Sequence, residues 1–112
     1  MVVKMFQPLS NIRVVDLTQV LAGPYATYQL ALMGAEVLKI EQPNLGDWTR
    51  DGGAPEGLQE QKMATSFLTQ NEKKKSITLD FKNSADFKNL KKLIKTADVF
   101  VENFRPGTAE RL

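Results

Sequence analysis

Residues 12–41 read IRVVDLTQVLAGPYATYQLALMGAEVLKIE, and this stretch decides the fold. Its first six residues are β-branched or mostly apolar, as in a strand that is buried on both faces, and Glu36–Glu41 predicts a second strand. Between them the spacing predicts a helix from about Pro24 to Met33. Pro24 fits the first turn because its missing N–H costs nothing there, and Gly34 is typical of the residue after a helix end. Strand, helix and strand predict a right-handed βαβ unit with parallel strands.

The rest of the chain continues this alternation. The further predicted elements are a Gly- and Pro-rich loop over 42–61, a short helix over 62–70, a strand over 76–81, a helix over 84–96 capped by Asn83 or Ser84, and a strand over 98–104. This order predicts a Rossmann-like, mostly parallel α/β sheet with flanking helices. Residues 1–8 are expected to form an N-terminal arm, and residues 9–112 the folded part.

The composition excludes several classes of function. The 112 residues contain no Cys and no His, which excludes disulfides, a Ser-His-Asp triad and a zinc-hydrolase centre within the chain, and no metal site is predicted. Lys and Arg number 15 against 13 Asp and Glu, and a net charge of +2 is too small to indicate nucleic acid. No apolar run approaches the ~20 residues that span a bilayer. We therefore expect a cytoplasmic protein without a membrane or nucleic-acid partner.

Ligands of parallel sheets bind beyond the carboxyl ends of the strands, so the loops at these ends are the site candidates. The turn at 21–24 could bind an anion at a helix N-terminus or be only a tight turn. It is not a Gly-x-Gly-x-x-Gly fingerprint, and the chain has no Gly-Lys-Ser/Thr loop, which disfavours NAD and P-loop chemistry. Residues 103–107 combine an amide, an aromatic ring, a guanidinium and a turn. This combination favours ligand binding over a plain turn.

Several charged residues allow two interpretations. Asp16, Asp80 and Asp98 stand near strand ends and could serve as general bases, but a turn or cap role is commoner for such residues. Glu41 could reach a ribose hydroxyl or form a surface salt bridge. The run Lys73–Lys75 could face a phosphate-bearing ligand, although a solvated approach to the next strand is favoured.

The chain also carries an ordered set of short motifs. They are PLSNIRVVDLT at 8–18, LAGP at 21–24, MGAEVLKIE at 33–41, GD at 46–47 with TR at 49–50, KSITLD at 75–80 and ADVFVENFRPG at 97–107. This set resembles the start of the family III CoA-transferases, the CaiB/BaiF proteins, and covers nearly the whole chain after residue 7. The resemblance implies the N-terminal part of that family's fold, an acyl-CoA substrate with a small carboxylic acid as partner, and a homodimer of interlocked chains.

The resemblance also implies a CoA site at the ends of the strands. Carried over by motif, that site comprises Leu21, Ala22, Gln42, Leu79, Asp80, Phe81, Lys82, Asn103, Phe104, Arg105 and Arg111. The three cations among them are candidates for phosphate contacts, and the two aromatic rings with Leu79 can flank adenine. Gln42 and Leu21 depart from the family's formyl-CoA transferase, which has Arg and Gln there. The ionic contact at position 42 is therefore lost, and an oxalate substrate is less favoured.

The resemblance places the family's covalent chemistry outside this chain. In these transferases an Asp carboxylate attacks the acyl-CoA thioester, giving a mixed anhydride and then an enzyme–CoA thioester. The position matching that Asp lies beyond Leu112, so no catalytic residue is assigned here. The prediction is the CoA-binding N-terminal part of an acyl-CoA:carboxylate CoA-transferase. Two alternatives stay open: an alpha-methylacyl-CoA racemase, whose acid and base groups would also lie downstream, and a non-catalytic CoA-binding module.

Overall fold

A four-stranded parallel sheet forms the centre of the computed structural model, which describes residues 5–53, 55, 57–58 and 60–112. The strands are β1 (Arg13–Asp16), β2 (Glu36–Glu41), β3 (Lys75–Thr78) and β4 (Val99–Val101). Their spatial order is β3-β2-β1-β4, and each neighbouring pair is parallel. The predicted parallel α/β sheet is therefore confirmed. Residues 1–4 of the predicted arm lie outside the described residues.

Helices connect the strands in the predicted order. They are α1 (Ala22–Leu32), α2 (Thr65–Leu68), α3 (Ser84–Lys95) and α4 (Thr108–Arg111). The strand ends differ from the prediction, because β3 and β4 each end three residues early. Asp80 and Glu102 accept hydrogen bonds from the N–H two residues further on, at 2.9 and 2.7 Å, and these bonds turn the chain out of the sheet. Within the described part of the chain, no helix is long and apolar enough to cross a bilayer.

The face of the sheet that α3 covers is apolar. Its buried side chains are Val15, Leu17, Ile40, Leu79 and Leu90. Phe87 packs against this cluster, as the helical spacing predicts. Asn83 caps α3 by accepting hydrogen bonds from the N–H groups of Ala85 and Asp86, which confirms the predicted cap. This face supplies the hydrophobic stabilisation of the sheet.

The opposite face, under α1, is apolar at one end and charged at the other. Val14 and Ala31 pack together near the amino ends of the strands. Toward the carboxyl ends, alternation along the strands points three charged side chains to this face. They are Asp16, Lys39 and Glu41, which are only 0, 1 and 5% exposed. Asp16 and Lys39 are direct neighbours in the register of β1 and β2.

Six charged side chains form three ion pairs on this face. Lys39 Nζ lies 2.9 Å from Asp47 Oδ2, Arg50 Nε lies 2.6 Å from Glu41 Oε2, and Lys74 Nζ lies 3.1 Å from Asp16 Oδ2. We call these six residues the buried charge cluster. Three positive and three negative charges cancel, as burial away from water requires, because an unpaired buried charge is strongly destabilising.

Two glycines let the chain close over this cluster. A Cβ atom on Gly23 would clash with Thr18 Cβ. A Cβ atom on Gly46, whose φ is +68°, would lie 2.7 Å from Arg50 Cδ and 2.8 Å from Glu41 Oε2. Residues larger than glycine do not fit at these two positions without a shift of the cluster or its loops. At Gly46 the loop therefore contacts the charged side chains of Arg50 and Glu41 directly.

Glu41 makes the stabilisation by this cluster depend on pH. Burial by itself raises the pKa of Glu41, but hydrogen bonds from Arg50, Ser76 and the Asp47 N–H outweigh it and hold the pKa below its usual value. A carboxyl group with a lowered folded-state pKa adds stability above its unfolded pKa of about 4.3, and this stability is lost as the pH falls through the folded value. We therefore expect the free energy of unfolding to fall on acidification below about pH 4.

The substitution Glu41→Gln tests this expectation. At pH 7 the variant should lose roughly 2–4 kcal/mol of unfolding free energy, because Arg50 loses its charged partner. The deficit should shrink below about pH 4, where the wild-type carboxyl becomes protonated. Denaturant unfolding across this pH range measures both effects, and the exposed Glu60→Gln serves as control. A deficit that stays constant with pH would contradict the ionic role of Glu41.

Candidate functional site

A cleft of about 420 Å³ opens at the carboxyl edge of the sheet. It is lined by Leu17, Gln19, Val20, Ile40, Glu41, Gln42, Trp48, Phe81, Asn103, Phe104, Thr108 and Leu112. These residues come from the strand ends and loops that sheet topology identifies as ligand-binding. Apolar and aromatic walls with a few polar groups are the usual composition of a small-molecule site.

Four residues of the predicted CoA site line this cleft: Gln42, Phe81, Asn103 and Phe104. A second cavity of about 350 Å³ shares Gln42 and Phe81 with it and adds Asp80 and Lys82. The two cavities therefore meet at Gln42 and Phe81. Phe81 and Phe104 also pack against the apolar core, which fixes the position of both rings.

Five predicted residues do not line either of these two cavities, namely Leu21, Ala22, Leu79, Arg105 and Arg111. Leu21 and Ala22 stand exposed at the start of α1, where the Leu21 side chain is 62% exposed. Leu79 is only 8% exposed and belongs to the apolar core under α3. A contact of Leu79 with a ligand would therefore involve its backbone.

The three predicted phosphate-binding cations stand at the same edge. Lys82 borders the second cavity. Arg105 is exposed, and Arg111 Nη2 donates to Thr108 Oγ1, a cleft residue, at 3.2 Å. Within the described residues, none of these cations lies in an ion pair. Their charges are therefore free to meet an anionic ligand.

Glu41 is the carboxylate side chain among the cleft-lining residues, and both of its oxygens are engaged. Oε2 accepts from Arg50 Nε at 2.6 Å and from Asp47 N at 2.9 Å. Oε1 accepts from Arg50 Nη2 and from Ser76 Oγ, both at 2.6 Å. Glu41 therefore forms the salt bridge of the second interpretation, although buried and not at the surface, and its oxygens are not free for the ribose contact of the first. Glu41 is a buried structural anion.

Asp16 and Lys74 are likewise structural. Asp16 has the expected turn role, since its Oδ1 accepts from Thr18 N at 2.8 Å, and it is also fully buried and accepts from Thr27 Oγ1 at 2.6 Å. Lys74 Nζ donates to Asp16, and to Pro24 O and Asn71 Oδ1 at 2.9 Å each. Burial lowers the pKa of Lys74, although the nearby Asp16 opposes this. The predicted solvated approach to β3 is therefore wrong for Lys74.

Asp47 connects two walls of the cleft. Its Oδ1 accepts from Val20 N at 3.3 Å on one wall and from Thr49 N at 3.0 Å beside the exposed Trp48 on the other. Burial alone would raise the pKa of Asp47, but hydrogen bonds from Thr49 and Lys39 hold it below its ordinary value. An ionised Asp47 is therefore maintained behind the cleft.

The site predicted from the sequence omitted Val20 and Trp48, which line the cleft, and the ion pair of Lys39 with Asp47. One local signal was present, because Lys39 is a charged residue between the apolar Leu38 and Ile40 of β2, and a charged residue that is buried in a strand needs a partner. The partner, Asp47, follows Gly46 in a motif noted only for its resemblance. Asp47 is recognised as the partner of Lys39 only in the folded chain, where Lys39 Nζ lies 2.9 Å from Asp47 Oδ2.

Residues 9–112 match the family model of CoA-transferase family III. Succinyl-CoA:glutarate CoA-transferase of Mus musculus is 46% identical over 101 residues, which are 90% of this chain and 22% of that protein. Formyl-CoA:oxalate CoA-transferase of Rhodopseudomonas palustris is 44% identical over 110 residues, covering 96% of this chain and 25% of that protein. The chain thus spans about a quarter of the length of these curated relatives.

Solved structures show the same fold. A CAIB/BAIF family protein from Brucella suis matches with a TM-score of 0.82 and 34% identity, over 96% of this chain and 28% of that one. A mutant of Rv3272 from Mycobacterium tuberculosis matches with a TM-score of 0.83 and 41% identity, over 94% of this chain and 27% of that one. Sequence and fold agree along nearly the whole chain, which therefore belongs to CoA-transferase family III.

Proposed function

We propose that this chain is the CoA-binding N-terminal part of an acyl-CoA:carboxylate CoA-transferase. The cleft at the carboxyl edge carries the proposal, because it combines aromatic walls with nearby cations that form no ion pair with any residue that the structure describes. The names of two relatives, succinyl-CoA:glutarate and formyl-CoA:oxalate CoA-transferase, each pair a CoA thioester with a carboxylate. This pairing supports the same class of substrates here.

The parts of CoA match different parts of this edge. The adenine ring would pack against Phe81 and Phe104, while its phosphates would meet Lys82, Arg105 and Arg111. Gln42 would offer a neutral hydrogen bond where the two cavities meet. Leu21 and Ala22, exposed at the start of α1, would face the thioester end, and Asp80 would shape the turn that carries Lys82.

The covalent step is proposed to use an Asp outside these 112 residues. Glu41, the carboxylate side chain that lines the cleft, has both oxygens engaged and is not free to attack. The attacking Asp carboxylate would expel the CoA thiolate from the acyl thioester and form a mixed anhydride. The thiolate would then attack the aspartyl carbonyl and release the acid. The acceptor carboxylate would reverse these two steps.

The acyl transfer itself can be tested on the intact protein that contains this chain. With succinyl-CoA and a panel of free dicarboxylic acids that includes glutarate, we expect CoA thioesters of the added acids, detected by mass spectrometry. The racemase alternative makes the opposite prediction. Deuterium uptake at C2 of a 2-methylacyl-CoA, without CoA transfer to any acid of the panel, would contradict the proposed transferase.

The phosphate contacts are testable by calorimetry of CoA binding to the intact protein. Lys82→Ala and Arg111→Ala should each weaken CoA binding about tenfold or more, because a hydrogen bond to a charged group is worth roughly 1.5–3 kcal/mol. Lys95→Ala is the matched control, since Lys95 is exposed at the far end of α3. Unchanged affinity in both variants would show that the phosphates bind elsewhere.

A further inference from the structure

In the loop between β1 and α1, four consecutive backbone N–H groups each donate a hydrogen bond. Leu17 N donates to Val101 O at 2.9 Å, Thr18 N to Asp16 Oδ1 at 2.8 Å, Gln19 N to Asn103 Oδ1 at 3.0 Å, and Val20 N to Asp47 Oδ1 at 3.3 Å. This wall of the cleft is therefore ordered by acceptors from outside the loop.

Asn103 binds this loop through both ends of its amide. Its Oδ1 accepts from Gln19 N, and its Nδ2 donates to Gln19 O at 2.8 Å. The backbone donor and acceptor of Gln19 together fix which way the amide faces. Although 84 residues separate the two along the chain, this pair joins the end of β4 to the end of the neighbouring strand β1.

The backbone conformation of the β1–α1 loop shows why the hydrogen bonds between Asn103 and Gln19 matter. Val20, directly after Gln19, has a φ of +74°, which β-branched residues rarely adopt. Such a conformation persists where surrounding contacts impose it. Asn103 on Gln19 and Asp47 on Val20 supply those contacts from two sides. Loss of either contact would let the loop relax away from this shape.

We propose that Asn103 is a positioning residue of the CoA site, which acts by holding Gln19 and Val20 as a fixed wall of the cleft. One donor and one acceptor of its side-chain amide are engaged with Gln19, which gives Asn103 a role besides the ligand contact implied by the family resemblance. Because this loop is already ordered before CoA binds, the free energy of binding does not include a cost for ordering it. The role of Asn103 in CoA binding rests on the proposed function, whereas its hydrogen bonds to Gln19 do not.

Two measurements on the intact protein test this inference: hydrogen exchange without ligand and calorimetry of CoA binding. Asn103→Ala should speed exchange at the Gln19 amide about tenfold or more and weaken CoA binding several-fold. Asn103→Asp keeps an acceptor for Gln19 N–H, so its exchange rate should lie between those of wild type and Asn103→Ala. Gln42→Ala is the matched control, because Gln42 lines the same cleft and its change should leave Gln19 exchange as in wild type.

Two results would overturn the inference. If Asn103→Ala weakens CoA binding while Gln19 exchange stays unchanged, Asn103 contacts the ligand directly. If exchange rises while CoA affinity is unchanged, order in this loop does not serve binding. Should Asn103→Ala fail to fold, the same comparison holds for Asn103→Asp. A wild-type protein that binds no CoA would overturn the proposed function, and the exchange rates would still decide whether Asn103 holds the loop.

Discussion

Three carboxylates and three cations are buried on one face of the sheet, and the need to neutralise them is the constraint on which the carboxyl edge depends. Removing a charge from water costs several kcal/mol, so each of the six must have a partner within reach. The strands supply Asp16, Lys39 and Glu41, and the connections supply Asp47, Arg50 and Lys74. The connections therefore take the paths that bring their charges to the strands.

The same cluster shapes the candidate site, because its members are bonded to the loops around the cleft. Lys39 Nζ donates to Thr18 O at 2.7 Å, at the start of the β1–α1 loop. Arg50 stacks on the Phe67 ring with its guanidinium carbon 3.7 Å from the centroid, and this contact ties α2 to the cluster. The apolar face under α3 stabilises the sheet separately. The cleft therefore depends on both faces of the sheet, since Leu17 and Ile40 of its lining also belong to the apolar core.

The order of the elements and the parallel sheet could be predicted, because β-branched runs, Gly34 and the Asn83 cap are local signals. Gln42 and Phe81 could be assigned to the cleft, since the carboxyl ends of parallel strands share one edge. The ion pairs could not be predicted: Asp16 and Lys74 are 58 residues apart and meet only in the folded chain. The positions of the loops that line the cleft could not be predicted for the same reason, because these loops are bonded to the residues of the ion pairs.

A crystal structure of the intact protein with CoA tests the central claim most directly. We expect CoA in the cleft, with its adenine ring against Phe81 and Phe104 and its phosphates near the three cations of this edge. The ion pair of Lys39 with Asp47 should be unchanged behind it. CoA bound away from the carboxyl edge, or bound there with this ion pair opened, would contradict the claim that the buried charges shape the CoA site.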